Sequence, residues 1–302
     1  MKTTNLLLLL CLMLLSSCNN DSNDSPNFNE QLLKRFPNAT NVVWRTSNNY
    51  QVATFSLAKQ SKAQAQPGKV NEAWFQTSGD CVMTEIEIPI SELPAAVVAG
   101  WEATTFFKDK YQLDDIDKLE RDGNVMYKLE VETTKDEYEL FFSIDGKLMH
   151  SKLDADDTDI AEENIPTPKA ISDFILGKYK DAKIIECELE EDKANKTKFY
   201  EVEFIDKDAT FNDVTKKYDG EKEAIFDINK KWSKTIQEIE YKKLPSLISA
   251  SFEKTYPQYK GSVDEIEITE KTTGIIYVFT IEIEGSEIPK IITFDEKGKE
   301  VK

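Results

Sequence analysis

Apolar residues recur along this chain at two periods, and the two periods take turns. Phe28, Leu32 and Phe36 stand four residues apart, and Leu93, Val97 and Trp101 repeat the step. Ile171, Phe174, Ile175 and Tyr179 form an i, i+3, i+4, i+8 stripe, matched by Leu244, Leu247, Ile248 and Phe252. Such spacing puts apolar side chains on one face of a helix. Between the stripes the period drops to two. Leu129 and Val131 alternate with Lys128, Glu130 and Glu132. Tyr138, Leu140, Phe142 and Ile144 alternate with Glu137, Glu139 and Ser143, and Phe279, Ile281 and Ile283 with Thr280, Glu282 and Glu284. That pattern predicts antiparallel strands with one packed face and one wet face.

The same landmarks occur twice. Leu93-Pro94 returns as Leu244-Pro245, Tyr127 as Tyr277 and Asp145 as Asp295, at an offset constant to within one residue. Within each half a Tyr-x-apolar-x-apolar phrase also repeats, starting at Tyr50, Tyr127, Tyr200 and Tyr277, each followed by a second strand ending near Asp, Gly or Lys. The expected fold is α+β: two tandem αββαββ domains, each an antiparallel sheet with two helices packed on one face. The first is expected over 27–153 and the second over 165–302. Residues 154–164 form an acidic linker without sustained apolar period. The connections at 60–69 and 206–222 are long for hairpins.

The N-terminus follows a different plan. Met1, Lys2 and Thr3 precede an apolar run from Leu6 to Leu15, the length of a signal-peptide core and short of the about 20 residues that span a bilayer. The run ends in Leu15-Ser16-Ser17-Cys18, which resembles the lipobox of bacterial lipoproteins. The resemblance implies a signal peptide over 1–17, cleavage before Cys18, lipid on that residue and a flexible tether over 18–26. An ordinary signal peptide with an incidental cysteine is the plainer alternative.

The helix followed by Phe36-Pro37-Asn38-Ala39, then the Tyr-x-Val and Asp-Gly-Lys strands, resembles the PepSY-like, β-lactamase-inhibitor-like modules of exported bacterial proteins. The resemblance runs from about residue 27 to 302 as two copies. It implies a small non-catalytic envelope module, and an inhibitor-like contact through a sheet face, as in the β-lactamase inhibitor protein.

Charge and chemistry narrow the function. The net charge of −18 repels the nucleic-acid backbone and anionic headgroups, so the expected membrane contact is the lipid anchor alone and no nucleic acid is expected. The single histidine, His150, leaves no histidine pair for zinc and one residue for any Ser-His-Asp or Cys-His system. It reads as structural or surface. Asp154, Asp156, Asp157 and Asp159 lack the glycine and glutamate of a calcium loop. No catalytic residue, cofactor or metal is therefore expected.

Trp74, Phe141 and Ile225 fall on the outward side of their strands and are the candidate partner contacts, with inter-domain packing as the alternative. The expected function is a non-catalytic binding lipoprotein of the outer membrane, facing the periplasm or the cell surface, whose sheet faces and loops contact a protein or polymer. A carboxylate-dependent hydrolase and a structural envelope component are the rivals. Cys81 and Cys187 are expected to be small core residues in separate domains, with Trp44 beside Cys81 and Cys187 beside Trp232 across antiparallel hairpins.

Overall fold

The computed structural model describes residues 26–57, 71–121, 123–154, 163–207, 209–212, 217–285 and 288–301. Cys18 and the expected signal peptide lie outside the described residues, as do 58–70 and 155–162, which hold the first long connection and most of the linker.

In the first domain α1 (Phe28–Arg35) precedes β1 (Ala39–Ser47), β2 (Tyr50–Leu57), β3 (Asn71–Phe75) and β4 (Cys81–Glu87). Then come α2 (Ala95–Ala103), α3 (Thr105–Lys108), β5 (Gln112–Arg121), β6 (Asn124–Glu132), β7 (Glu137–Ser143) and β8 (Leu148–Asp154). The eight strands form one antiparallel meander in sequence order. The second domain runs α4 (Lys169–Lys178), β9 (Lys183–Glu191), β10 (Lys198–Ile205), β11 (Thr210–Asn212), β12 (Lys217–Asp219), β13 (Lys222–Asp227) and β14 (Trp232–Glu238). It ends with α5 (Ser246–Thr255), β15 (Val263–Lys271), β16 (Gly274–Ile281), β17 (Lys290–Asp295) and β18 (Glu300–Val301). Its sheet has the order β9-β10-β13-β14-β15-β16-β17-β18, and β11-β12 is a separate ribbon filling the second long connection.

Each unit is thus one helical stretch plus four strands, twice the expected two, and the chain is mostly β. The missed strands hide their alternation. A register shift between Thr40 and Val43 breaks the period of β1. Strand β5 reads Gln-Leu-Asp-Asp-Ile-Asp-Lys-Leu-Glu-Arg, with charges on both faces.

The helices do line one face of each sheet. Phe28, Leu32 and Phe36 pack on Ala53, Phe55, Ala73 and Phe75. Val97, Trp101 and Phe106 join Leu129, Val131, Leu140 and Phe142. In the second domain Ile171 and Ile175 meet Val202, Phe204 and Phe226, and Phe252 stacks on Phe279 with centroids 4.4 Å apart. Each such buried aromatic contributes roughly 1.5–3 kcal/mol by leaving water. The Asp-Gly-Lys turn after β7 seats α2. A Cβ on Gly146 would lie 2.1 Å from the Ala96 carbonyl oxygen, and one on Gly100 would lie 2.0 Å from that of Gly146.

The opposite face of the first sheet is not uniformly wet. The second domain enters through residues 163–168 and lays β9 across it. Val52, Trp74 and Met83 share one apolar cluster with Ile165, Ile184 and Cys187, while Ile185 and Ile205 join Leu119, Met126 and Phe141. Buried Arg121 fastens the contact: it donates to the Ile185 carbonyl (3.0 Å) and to Asn164 Oδ1. Asn164 also accepts from the Cys187 amide (3.2 Å), and the Ile165 amide donates to the Cys187 carbonyl (2.8 Å).

The cysteine expectation is corrected in part. Trp44 lies on β1 and Cys81 on β4, with β2 and β3 between them, and Cys187 and Trp232 are separated in the same way. They are therefore not cross-strand neighbours. The cause is again the strand count, since a two-strand unit would have made them adjacent. Their equivalence is visible in the register: Trp44 pairs with Ala53 as Cys187 does with Val202, and Phe75 with Cys81 as Phe226 does with Trp232. Neither Cys81 nor Cys187 is in a disulfide.

Candidate functional site

Three constellations stand out: an open sheet face and two buried charge clusters. The open face belongs to the second sheet. Residues directly opposite in an antiparallel ladder share a face, so the register places Ile236 with Ile276 through Thr269, Val278 with Glu267, and Ile291 with Thr280. Ile225 pairs with Lys234 and Glu201. The result is a partly buried aliphatic band of Ile225, Ile236, Ile276 and Val278, continued by Ile291 at 55% exposure. Glu201, Glu223, Glu238, Glu265 and Glu267 stand around it, with Lys234 and Lys271 as cations. Burial pushes the Glu223 carboxyl up despite Lys234, with Glu267 adding to the rise.

The first cluster lies on the first sheet. Lys128 on β6 is 14% exposed, and its Nζ reaches Glu85 at 2.8 Å, Glu139 at 3.3 Å, and Asp117 and Glu130 at 3.5 Å. Burial works against the ammonium, but the four carboxylates outweigh it and raise its pKa well above the ordinary value. Burial also pushes Asp117 up to about 8, against the pull of Lys128 and with Glu85 and Asp115 adding to the rise.

The second cluster joins the domains. His150 on β8, 5% exposed, faces Glu203 on β10 and Glu221 just before β13. Burial alone would lower the imidazole pKa; Glu221 and Glu203 outweigh that and raise it. Burial pushes Glu203 up to about 7. Neither cluster was legible in advance. Lys128 reads as one more wet-face residue, and nothing in the spacing of His150 points to two glutamates in the other half.

The candidate contacts divide. Trp74 and Phe141 are each 1% exposed, covered by the second domain, and so are not presented to a partner. Their outward direction was correct; the cover comes from a distant part of the chain. Ile225 stays partly exposed on the open face. A hydrolase would need two acids flanking a bond in a cleft. A cavity of about 270 Å³ beside Arg35, Cys81 and Arg121 has one lining carboxylate, Glu120. Another of about 470 Å³ beside Lys110 and Gln112 has one, Glu132. The converging Asp115, Asp117 and Glu130 line neither of these. Among the described residues no helix is long and apolar enough to cross a membrane.

The family model described as "Putative beta-lactamase-inhibitor-like, PepSY-like" matches residues 59–150 and 198–300, once in each domain. No curated protein matches the chain. Among solved structures it is similar to a BLIP-like protein from Bacteroides fragilis NCTC 9343, at 26% identity over 47% of this chain and 92% of that one, with a TM-score of 0.37. It is also similar to a DUF2874 family protein from Bacteroides ovatus ATCC 8483, at 22% identity over 46% and 94%, with a TM-score of 0.36.

Proposed function

We propose that this chain, which belongs to the PepSY-like, β-lactamase-inhibitor-like family, is a non-catalytic binding lipoprotein of the cell envelope. It is held to the outer membrane by lipid on Cys18 and contacts a protein partner through the open face of its second sheet. The observation that carries the reading is the aliphatic band from Ile225 to Ile291 inside a rim of glutamates. A partly buried apolar band with a charged border has the layout of an interface, with an apolar centre and a polar rim. The acidic rim selects a partner with basic residues around an apolar patch and makes association weaker in salt.

The test uses the lipid-free mature chain as bait in an envelope extract, with mass spectrometry of the retained proteins. The wild type should retain a defined protein, and Ile236→Asp with Val278→Asp should reduce its capture at least about tenfold, the size expected from losing hot-spot contacts, at unchanged melting temperature. Equal capture by both baits would sink the assignment of this face. The anchor has its own readout: radioactive fatty acid should label the wild type and not Cys18→Ala, and equal labelling refutes it.

A further inference from the structure

We propose that His150, Glu203 and Glu221 bind a single first-row divalent metal ion, of which Zn²⁺ is the type, and that this ion pins the second domain to the first. One donor atom from each of the three side chains lies within 4.8 Å of the others. Glu221 Oε1 lies 2.5 Å from His150 Nδ1, and Glu203 Oε2 lies 3.7 Å from Nε2. The ligands come from three separate stretches, β8, β10 and the turn into β13, and meet only where the domains dock.

Burial without a well-formed hydrogen bond is the second observation. Buried polar groups are nearly always hydrogen-bonded, and leaving one unmade costs about 1–3 kcal/mol. Among the described residues, eight buried side-chain nitrogen and oxygen atoms make no hydrogen bond. Four of these eight are His150 Nδ1, His150 Nε2, Glu203 Oε2 and Glu221 Oε1. A cation that takes one imidazole lone pair and one carboxylate oxygen from each glutamate satisfies three of these four atoms, and the other ring nitrogen keeps its proton.

Charge and ligand type select the ion. Two carboxylates and a neutral imidazole carry −2, which one divalent cation cancels. The nearby Lys152 ammonium is spent on Glu186 (3.2 Å) and Glu188 (3.7 Å). An imidazole with two carboxylates is a borderline set that suits Zn²⁺ and its neighbours, whereas Ca²⁺ and Mg²⁺ favour oxygen alone. The Phe141 ring packs 5.4 Å from the imidazole and fixes its plane.

Because His150 is the chain's only histidine, one side-chain resonance reports the site. Protein without a histidine tag, labelled with ¹⁵N-histidine, is titrated with ZnCl₂ in excess MgCl₂. One equivalent should saturate the protein and displace the imidazole nitrogen resonance, and the melting temperature should rise. Glu203→Gln and Glu221→Gln should each weaken binding by at least about tenfold, while Glu102→Gln, exposed on α2 on the helix side of the first sheet, should leave it unchanged. Should a Gln variant misfold, anomalous scattering at the zinc edge from wild-type crystals decides: a peak bounded by these three side chains supports the site, and peaks only at surface carboxylates overturn it. An unmoved His150 resonance at millimolar Zn²⁺, or equal affinity in all variants, also overturns it.

Discussion

Lys128→Met is expected to cost about 3–5 kcal/mol of stability near pH 8, the range for stranding buried charges, and far less near pH 4. The ammonium touches Glu85, Asp117, Glu130 and Glu139, and its removal leaves four carboxylates crowded on one sheet face. They can relieve that repulsion only by taking up protons. The wild type already leans this way. The folded pKa of Asp117, about 8, is raised above its unfolded value, chiefly by burial. Its contribution is fully present below the unfolded pKa, near 4, and is lost as pH rises through about 8. Glu139 and Glu223 are raised by burial too, so they act in the same direction. Lys128 is also raised, so its contribution holds at neutral pH and is lost only far into base.

Wild-type stability should therefore decline from mildly acidic pH to pH 8, by on the order of 2 kcal/mol, and the decline should steepen in Lys128→Met. Urea melts of both proteins at about pH 4, 6 and 8 measure this. A mutational cost that is the same at every pH would mean that Lys128 acts through packing alone.

What the chain disclosed in advance was local. Val97 and Trp101 fell in α2, and Ile248 and Phe252 in α5, because a helix brings residues four apart onto one face, with Leu93 and Leu244 just ahead of each helix. The alternation at Tyr138-Leu140-Phe142 became β7, and the twofold offset became two sheets of eight strands. Strand number was lost where charges occupy both faces, as in β5, or where a bulge shifts the period, as in β1. The site was lost for another reason. Trp74, Phe141 and His150 all point outward from the first sheet, and what they meet is set by how the second domain docks. No periodicity encodes a contact between Trp74 and Ile165, or between His150 and Glu221. The open face of the second sheet was legible in kind, through Ile225, because it needs only one strand's alternation.

That docking makes Trp74→Ala the substitution with the widest consequences. Trp74 sits between Val52 and Met83 in the ladder. The Arg45 guanidinium lies 5.1 Å over its ring, the Tyr50 ring stands edge-on at 6.0 Å, and its indole N–H donates to Glu72 at 3.1 Å. The second domain closes the cluster with Ile165 and Ile184. Truncation should cost about 3–5 kcal/mol, as for a buried Trp. It removes a wall of both domains' packing, so unfolding should split into two transitions where the wild type shows one. Phe55→Ala is the control: Phe55 packs within a cluster that holds only first-domain residues, so it should weaken the first domain and leave the junction intact. Calorimetry, with tryptophan fluorescence followed in parallel, separates the cases. A single transition shifted by less than about 1 kcal/mol, together with loss of partner capture, would instead make Trp74 a contact for an outside protein and would refute the docked arrangement.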